Sequence, residues 1–261
     1  MAFLQVEFFS EALGTGTRIQ VILPEAQQGI GQAGKAVGGR GGAPVLYLLH
    51  GLSDDETIWA RRTSIERYAA AKGLAVVMPR ADRSFYANEA QGNRYWDFIS
   101  EELPRTVQSF FHVSGRREDT FVAGLSMGGY GALKLALRHP ERYAAAASFS
   151  GVVDIVDAMR QAPHWAVFPD GLFERIFGSV QQLQGSDDDL FALLGRPAPA
   201  CGRPRLYLAC GGDDAFYPAH LRFVQAARQA GWAPTAREQA GAGHAWPFWD
   251  AQIQAALDWM L

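Results

Sequence analysis

The sequence predicts an α/β fold, with a mostly parallel, doubly wound sheet and helices on both of its faces. Short, nearly all-apolar runs alternate along the chain with longer segments of helical periodicity. Apolar runs without polar alternation are typical of strands buried on both faces, as in a parallel sheet covered by helices. Alternating strands and helices indicate one doubly wound domain. We expect that domain to span residues 1–261, since the length and the 48% hydrophobic content suit it.

The N-terminal part departs from this alternation. Residues 3–9 and 17–23 alternate between apolar and polar side chains, which predicts an antiparallel strand pair at the sheet edge. Residues 25–43 are rich in Gly, Ala and Gln, and we expect a flexible loop there. Within it, residues 29–34 read GIGQAG and match the dinucleotide-binding pattern GxGxxG. That chemistry needs a strand directly before the glycines and a helix directly after them. Neither flanks this loop, so we expect no phosphate site and no cofactor.

The central and C-terminal parts supply the remaining elements. Apolar runs predict buried strands at residues 45–49, 74–78, 120–123, 144–149 and 205–209. Helical segments are expected at residues 64–72, 98–111, 129–138, 218–230 and 250–260. Residues 151–203 are too long for a simple crossover and carry aromatic residues that we expect to be exposed: Trp165, Phe168, Phe173 and Phe177. We expect an insertion over the carboxyl edge of the sheet, where α/β enzymes bind ligands. The alternative is a helical excursion that packs on the core.

The charge of the chain limits the partners that we expect. Basic residues number 24 and acidic residues 27, which gives a formal net charge of −3. This balance provides no basic surface for nucleic acid or an anionic membrane, so we expect neither as a partner.

Cys201 and Cys210 flank a predicted strand whose extended length, roughly 30 Å, is too great for a disulfide. The absence of a targeting signal or a long apolar segment favours a cytoplasmic location. The oligomeric state stays open, with a homo-oligomer among the alternatives.

One pentapeptide carries the first sign of chemistry. Gly124-Leu125-Ser126-Met127-Gly128 matches the pattern G-x-S-x-G, with an apolar run before it and a helical stretch after it. A nucleophilic serine occupies a tight strand-to-helix turn, and the residues two positions away must be nearly free of side chain. We therefore predict that Ser126 is the nucleophile of a serine esterase.

A serine hydroxyl needs a base to remove its proton. His244 lies in a glycine-rich loop before the last helix, where the base is expected in the chain order Ser…Asp…His. We expect His50, which ends a core strand, to be structural. The remaining histidines are expected at helix ends or on the surface: His112, His139, His164 and His220. Asp213 and Asp214 follow a predicted strand and compete for the acid position. We favour Asp214, because the acid usually stands three residues beyond the glycine of this turn, with Asp213 as a loop or capping residue.

Two further features complete the predicted site. Backbone amides of Met127 and Leu52 are the expected donors of an oxyanion hole, each contributing about 3–4 kcal/mol. Leu52 follows Gly51, which would let the backbone turn toward the substrate. Aromatic candidates for lining an acyl or aryl pocket are Trp59, Trp165, Phe168, Phe216, Trp246 and Trp249. For each of these residues, packing in the core is the alternative. We expect a small-molecule ester as the substrate and no metal ion.

Several motifs together resemble the esterase D-like family of α/β-hydrolases. They are the segments 48–53 (LLHGLS), 124–132 (GLSMGGYGA), 148–151 (SFSG) and 244–249 (HAWPFW), together with Trp59. The likeness is greatest to bacterial tributyrin esterases, which implies a cytoplasmic enzyme for short-chain acyl esters. It also implies a triad of Ser126, Asp214 and His244, with the Leu52 and Met127 amides as oxyanion donors.

The same family contains S-formylglutathione hydrolases, feruloyl esterases and acyltransferases, which are alternatives for the activity. Residues 53–56 (SDDE) stand where S-formylglutathione hydrolases carry a Cys-Thr segment, and this departure disfavours a thioester substrate. The segment 151–203 is least similar to the family, so the resemblance does not extend to substrate preference.

Overall fold

A mostly parallel sheet forms the centre of the molecule. The computed structural model describes residues 1–25, 41–162, 165, 168–197 and 200–261. Its strands are β1 (Ala2–Ser10), β2 (Thr15–Leu23), β3 (Val45–Leu49), β4 (Ala75–Pro79), β5 (Thr120–Leu125), β6 (Ala145–Phe149), β7 (Arg205–Gly211) and β8 (Thr235–Gln239). The strand order is β1-β2-β4-β3-β5-β6-β7-β8. Antiparallel pairing joins β1 to β2 and β2 to β4, and all other neighbours are parallel. The predicted fold class is thereby confirmed.

Helices cover both faces of this sheet. They are α1 (Ile58–Arg62), α2 (Ile65–Ala70), α3 (Tyr95–Asp97), α4 (Leu103–Phe110), α5 (Met127–Arg138), α6 (Ile155–Gln161), α7 (Leu172–Phe177), α8 (Val180–Leu183), α9 (Leu190–Leu194), α10 (Tyr217–Gln229) and α11 (Trp246–Met260). A π-helical stretch, Phe98–Glu102, leads into α4. Two apolar clusters lie on opposite sides of the sheet, one under α4, α5 and α10 and the other under α2 and α11. Within the described ranges, no helix is both long and apolar enough to cross a membrane.

Burial on both faces explains why the central strands are mostly apolar. In β3, Leu46 and Leu48 belong to one apolar cluster, whereas Tyr47 and Leu49 belong to the other. All five residues of β3 are buried, as are all six of β5. By contrast β8 has the sequence TAREQ and contains no buried residue, because it is an edge strand. The apolar-run criterion therefore identified the interior strands and missed β8.

The segment 151–203 differs from what the sequence predicted. Its aromatics were expected to be exposed, yet Phe168, Phe173 and Phe177 are buried. They surround Phe85, with ring-centroid distances of 6.4, 5.3 and 6.1 Å respectively. The expectation was wrong because the loop after β4 contributes an apolar side chain that these rings cover. The alternative of a helical excursion on the core describes α7 better.

A buried cation fastens this segment to the helix after β5. Lys134 of α5 is fully buried and forms an ion pair with Asp188. Its ammonium group also donates to the Tyr86 carbonyl oxygen at 3.0 Å and lies 4.5 Å from the centroid of the Trp96 ring. Burial lowers the pKa of Lys134, and the Asp188 carboxylate opposes that shift. The lysine therefore joins α5 to three separate parts of the chain.

The remaining expectations have mixed outcomes. Cys201 and Cys210 are free thiols, as expected. Helix α11 begins at Trp246, four residues before the predicted start at 250, with a proline in its first turn. Residues 26–40 and His164 lie outside the described residues, so the predicted loop at 25–43 and its GxGxxG match stay predictions.

Helix α5 approaches the sheet closely at two glycines. A Cβ atom at Gly128 would lie 2.7 Å from the His50 carbonyl oxygen, and one at Gly124 would lie 2.9 Å from the Gly128 Cα atom. Both obstacles are backbone atoms, which cannot rotate away as a side chain would. No side chain larger than hydrogen fits at either position without displacing β3, β5 or α5.

We predict that Gly128→Ala lowers the free energy of unfolding by about 1–3 kcal/mol, because overpacking forces backbone shifts. Urea unfolding followed by circular dichroism measures this value. Gly16→Ala is the matched control, since no atom lies within 4 Å of the added Cβ position. Equal stabilities of the two variants would contradict the close packing of α5.

Candidate active site

The turn between β5 and α5 holds Ser126 in a strained conformation. Its backbone angles are φ 53° and ψ −117°, which a residue with a side chain rarely adopts. The Ser126 amide donates to the Phe149 carbonyl oxygen at 2.9 Å. The Ser126 carbonyl oxygen accepts from the amides of Tyr130 at 3.1 Å and Val152 at 3.2 Å. These three hydrogen bonds fix the turn to its own helix and to the neighbouring strand.

The end of β7 supplies a carboxylate to a histidine. The Asp214 Oδ2 atom lies 2.8 Å from Nδ1 of His244, and Oδ1 accepts from the Phe216 amide at 2.9 Å. Because a carboxylate only accepts, Nδ1 of the imidazole carries the proton and Nε2 is left as the basic nitrogen. Burial raises the pKa of Asp214, but the contacts with His244 and the Phe216 amide outweigh it and hold the pKa below its usual value. Asp214 is therefore ionised at neutral pH.

The two competing aspartates have different surroundings. Asp214 is buried, whereas Asp213 is exposed and its amide donates to the Ala242 carbonyl oxygen at 3.0 Å. A Cβ atom at Gly211 would lie 2.6 Å from the Ala242 carbonyl carbon, so the loop before His244 rests directly on this turn. The turn geometry thus brings Asp214 to His244 and directs Asp213 toward solvent.

Ser126 and His244 are not hydrogen-bonded to each other in the described part of the chain. The His244 ring is half-exposed and packs edge-on against Trp249 and Phe216, with ring centroids 4.8 and 5.3 Å away. Catalytic hydrogen bonds are often long in ligand-free enzymes and tighten when substrate binds. The structure therefore brings Asp214 and His244 together, but it does not show the contact between nucleophile and base.

Sequence reasoning did not identify a role for Ser150, which lies between these groups. Its amide donates to the Ala209 carbonyl oxygen of β7 at 2.7 Å, and its hydroxyl accepts from Trp249 Nε1 at 3.2 Å. The same hydroxyl helps to hold the pKa of Asp214 low. Ser150 is fully buried and has a φ of 49°. The family-like segment 148–151 (SFSG) contains this serine, but the sequence of that segment does not predict the partners of the Ser150 hydroxyl.

The loop after β3 approaches the nucleophile from the other side. A Cβ atom at Gly51 would lie 3.7 Å from the Ser126 Cβ atom, so this loop passes directly beside the serine. The amides of Leu52 and Met127, the two predicted oxyanion donors, have no acceptor within the described residues. Met127 is the first residue of α5, and the first amides of a helix have no partner within the helix. Both amides are thus free to bind a negatively charged oxygen.

His50 supports this loop from below. Its Nε2 atom accepts from the Ala81 amide at 3.0 Å, and its Nδ1 atom consequently donates to the Gly51 carbonyl oxygen at 2.7 Å. The side chain is buried, and burial lowers the pKa of His50, so the ring stays neutral. Both nitrogens are used, as suits the structural role that we expected for this histidine.

Three of the predicted pocket aromatics, Trp59, Phe168 and Phe216, are buried, and Phe216 contacts His244. Trp59 is only 1% exposed and donates to the Leu49 carbonyl oxygen at 3.0 Å, so it packs beneath the loop instead of facing a substrate. Phe168 is likewise buried. Phe216 and Trp165 pack together with ring centroids 5.2 Å apart, and Phe216 also contacts the His244 ring.

Trp246, the last pocket candidate, is half-buried at the start of α11. Its ring packs edge-on against Trp59 at 5.3 Å and against Trp249 at 5.2 Å. The contact between Trp59 and Trp246 therefore connects α1 with α11, the helix that follows His244. Across the described ranges, no cluster of three or more His, Cys, Asp or Glu side chains is arranged to hold a metal ion.

Comparisons with known proteins show the family to which this chain belongs. Residues 10–260 match the family described as "Putative esterase". An acetyl esterase of Caldicellulosiruptor saccharolyticus is 30% identical over 264 residues, covering 100% of this chain and 98% of the relative. Two solved structures from Staphylococcus aureus are each 34% identical and cover 99% of this chain and 98% of their own. They are FphF, a fluorophosphonate-binding serine hydrolase with substrate bound (TM-score 0.86), and the S-formylglutathione hydrolase FrmB (TM-score 0.84).

These matches extend over nearly the whole chain and include the turn of Ser126 and the loop of His244. The sheet order and the helices on both faces are those of an α/β-hydrolase. The chain therefore belongs to this esterase family and is a carboxylic ester hydrolase.

Proposed function

We propose that this enzyme hydrolyses short-chain acyl esters through a covalent acyl-enzyme on Ser126. In this proposal His244 is the general base, Asp214 orients it, and the Leu52 and Met127 amides form the oxyanion hole. The hydrogen bond between Asp214 and His244, at the sheet edge where Ser126 occupies its strained turn, is the main support. The ionised state of Asp214 also supports it, because a carboxylate stabilises the imidazolium that forms during reaction.

The first half of the reaction forms the acyl-enzyme. His244 Nε2 removes the hydroxyl proton as the Ser126 oxygen attacks the ester carbonyl carbon. The carbonyl oxygen becomes negatively charged and accepts hydrogen bonds from the amides of Leu52 and Met127. When the tetrahedral intermediate collapses, the bond to the alcohol oxygen breaks and His244 returns the proton to that oxygen.

The second half restores the enzyme. A water molecule enters where the alcohol left, and His244 removes one of its protons. The resulting hydroxide attacks the acyl carbon, the same two amides stabilise the oxyanion, and the bond to Ser126 breaks with return of the proton to the serine. The carboxylic acid then leaves. Asp214 keeps its charge throughout and stabilises His244 each time that the imidazole becomes positively charged.

A short acyl group is supported by the 30% identical relative named as an acetyl esterase. The surroundings of His244 also favour a small substrate, because Phe216 packs against its ring and Trp165 packs against Phe216 in turn. Rigid aromatic neighbours limit how much a site can expand for a longer chain.

Thioester hydrolysis is the second candidate. The 34% identical FrmB is named as an S-formylglutathione hydrolase, which favours it. The segment 53–56 (SDDE), in place of a Cys-Thr pair, disfavours it. The mechanism above applies to both candidates, since a thiolate would leave where the alkoxide leaves.

We predict that Asp214→Asn lowers kcat for nitrophenyl acetate by about 10³- to 10⁴-fold, because the amide would stabilise the wrong tautomer of His244. Asp213→Asn is the matched control and should retain near wild-type kcat, since Asp213 is exposed. Steady-state kinetics at neutral pH measures both. If only Asp213→Asn lost activity, Asp213 would be the acid of the triad. If both variants kept wild-type kcat, neither aspartate would be catalytic, and the proposed triad would be wrong.

We predict that kcat/KM is at least roughly tenfold higher for nitrophenyl acetate and butyrate than for decanoate, because each poorly accommodated methylene lowers transition-state binding. The same panel should include methyl ferulate and S-formylglutathione, with Ser126→Ala as the blank for each. A much higher kcat/KM for S-formylglutathione would favour the second candidate. A preference for decanoate would refute the short-chain proposal while leaving the mechanism intact.

A further inference from the structure

Three successive carbonyl groups at the end of β3 are each bound by a buried side chain. The Leu49 oxygen accepts from the Trp59 indole N–H at 3.0 Å, and the Gly51 oxygen accepts from His50 Nδ1 at 2.7 Å. Between them, the His50 carbonyl oxygen accepts from the hydroxyl of Tyr86 at 2.9 Å. Side chains therefore hold the backbone that leads to the oxyanion loop at three consecutive peptide groups.

Gly51 is the residue of this loop whose backbone most needs such support. Glycine has the fewest steric limits on its two dihedral angles. Those angles set the orientations of the two adjoining peptide groups, each of which is planar. Tyr86 binds the carbonyl oxygen of the peptide group before Gly51, and His50 binds that of the peptide group after it. Together the two hydrogen bonds restrict both dihedral angles of Gly51.

The peptide group after Gly51 carries the Leu52 amide. In a trans peptide group the C=O and N–H bonds point in opposite directions. The Gly51 oxygen points toward His50 Nδ1, so the Leu52 N–H points to the opposite side. An oxyanion donor is effective only while it is aimed at the oxygen that becomes charged. Rotation of the backbone at Gly51 would therefore weaken this donor without removing it.

Tyr86 itself is fully buried and has a strained backbone. Its φ is 52° and that of Phe85 is 49°, values that residues with a side chain rarely adopt. The Lys134 ammonium donates to the Tyr86 carbonyl oxygen, and the Tyr86 amide donates to Ser84 Oγ, both at 3.0 Å. Such strain persists only where the surroundings hold it, and it is concentrated at functional sites. The loop after β4 thus presents the Tyr86 hydroxyl from a fixed position.

Helix α5 lies directly against both partners of this hydrogen bond. A Cβ atom at Gly131 would lie 2.5 Å from Cδ2 of Tyr86, and one at Gly128 would lie 2.7 Å from the His50 carbonyl oxygen. The same helix begins at Met127, whose amide is the other proposed oxyanion donor. The contact between Tyr86 and His50 is therefore packed against the elements that carry both donors.

We propose that Tyr86 is a positioning residue for the oxyanion hole, and that its hydroxyl orients the Leu52 amide by holding the His50 carbonyl oxygen. This inference rests on the role proposed above for the Leu52 amide. Tyr86 is fully buried and its hydroxyl is bound to His50, so it acts through the loop and not by touching the substrate. Its contribution is therefore made in the transition state, where the oxygen is charged, and not in ester binding.

Tyr86→Phe removes the hydroxyl and keeps the ring. We expect kcat for nitrophenyl acetate to fall about tenfold with KM unchanged, as for an interaction made only in the transition state. This loss is smaller than the about 10²- to 10³-fold loss on removal of a donor, because the Leu52 amide is still present. The pH dependence of kcat/KM should not change, since Asp214 and His244 keep their hydrogen bond.

A short-chain trifluoromethyl ketone measures the oxyanion hole directly. The Ser126 oxygen adds to its carbonyl carbon, the hydroxyl proton passes to His244, and the former carbonyl oxygen becomes the oxyanion. In Tyr86→Phe the Ki of this inhibitor should rise by the same factor by which kcat falls. An unchanged Ki would overturn the proposal, because the oxyanion donors would then be in their original positions.

Tyr207→Phe is the matched control. Tyr207 is also buried, and its hydroxyl donates to Gln252 Oε1 at 2.8 Å, in a part of the sheet that does not contact the oxyanion loop. Each variant loses one hydrogen bond of a buried tyrosine, so urea unfolding should show a loss of stability in both. Only Tyr86→Phe should lose kcat. An equal loss of kcat in both variants, or a raised KM with unchanged kcat in Tyr86→Phe, overturns the proposal.

Gly131→Ala disturbs the same contact without altering the hydroxyl, because the new methyl group displaces the Tyr86 ring. It should also lower kcat with KM unchanged, and its effect should not add fully to that of Tyr86→Phe, since both act on one contact. Wild-type kcat in Gly131→Ala, or full additivity, counts against the proposal. Ester hydrolysis by Ser126→Ala would instead refute the acyl-enzyme mechanism. Wild-type kcat in Tyr86→Phe beside an inactive Ser126→Ala would overturn only the role of Tyr86.

Discussion

The turn at Ser126 depends on how closely α5 can approach the sheet. Its backbone lies at φ 53° and ψ −117°, and this conformation is held between β5 and α5 because Gly124 and Gly128 leave no space for movement. The hydrogen bonds to Phe149 and Val152 extend the constraint to β6. These contacts hold the conformation of Ser126 against the centre of the sheet. The same turn leaves the Met127 amide without an acceptor among the described residues.

The acid and base arise from a separate part of the fold. Strands β5 to β8 are all parallel, so their carboxyl ends meet at one sheet edge, where Ser126 follows β5 and Asp214 follows β7. Ser150, which follows β6, lies between them and contacts both β7 and Trp249. Trp249 in turn packs against His244. The two halves of the site are therefore connected through the backbone on either side of Ser150, which binds Ser126, as well as through the sheet.

Much of this arrangement could be predicted from sequence because it depends on local chemistry. Strands buried on both faces must be apolar, and a serine between glycines after such a strand indicates the turn. Spacing alone favoured Asp214 and left Asp213 as the alternative, and the structure brings Asp214 to His244. The early start of α11 also had a signal, since Pro247 suits the first turn of a helix.

Other features depend on contacts between distant segments, which no local pattern contains. The burial of Phe173 depends on Phe85, far away in sequence, and the hydroxyl of Ser150 is directed by Trp249. Trp59 was a pocket candidate by residue type, yet its indole N–H donates a hydrogen bond to the Leu49 carbonyl oxygen beneath the loop after β3. Strand β8 is polar because it lies at an edge, and its place in the sheet depends on β7.

The central claim is that Ser126 becomes covalently acylated during ester hydrolysis. Reaction with a phosphonate ester that mimics the tetrahedral intermediate, followed by peptide mass mapping, tests it most directly. We expect one adduct per chain, on the peptide that contains Ser126, no adduct in Ser126→Ala, and slower labelling in His244→Ala. An adduct on a different residue, or wild-type ester hydrolysis by Ser126→Ala, would contradict the claim.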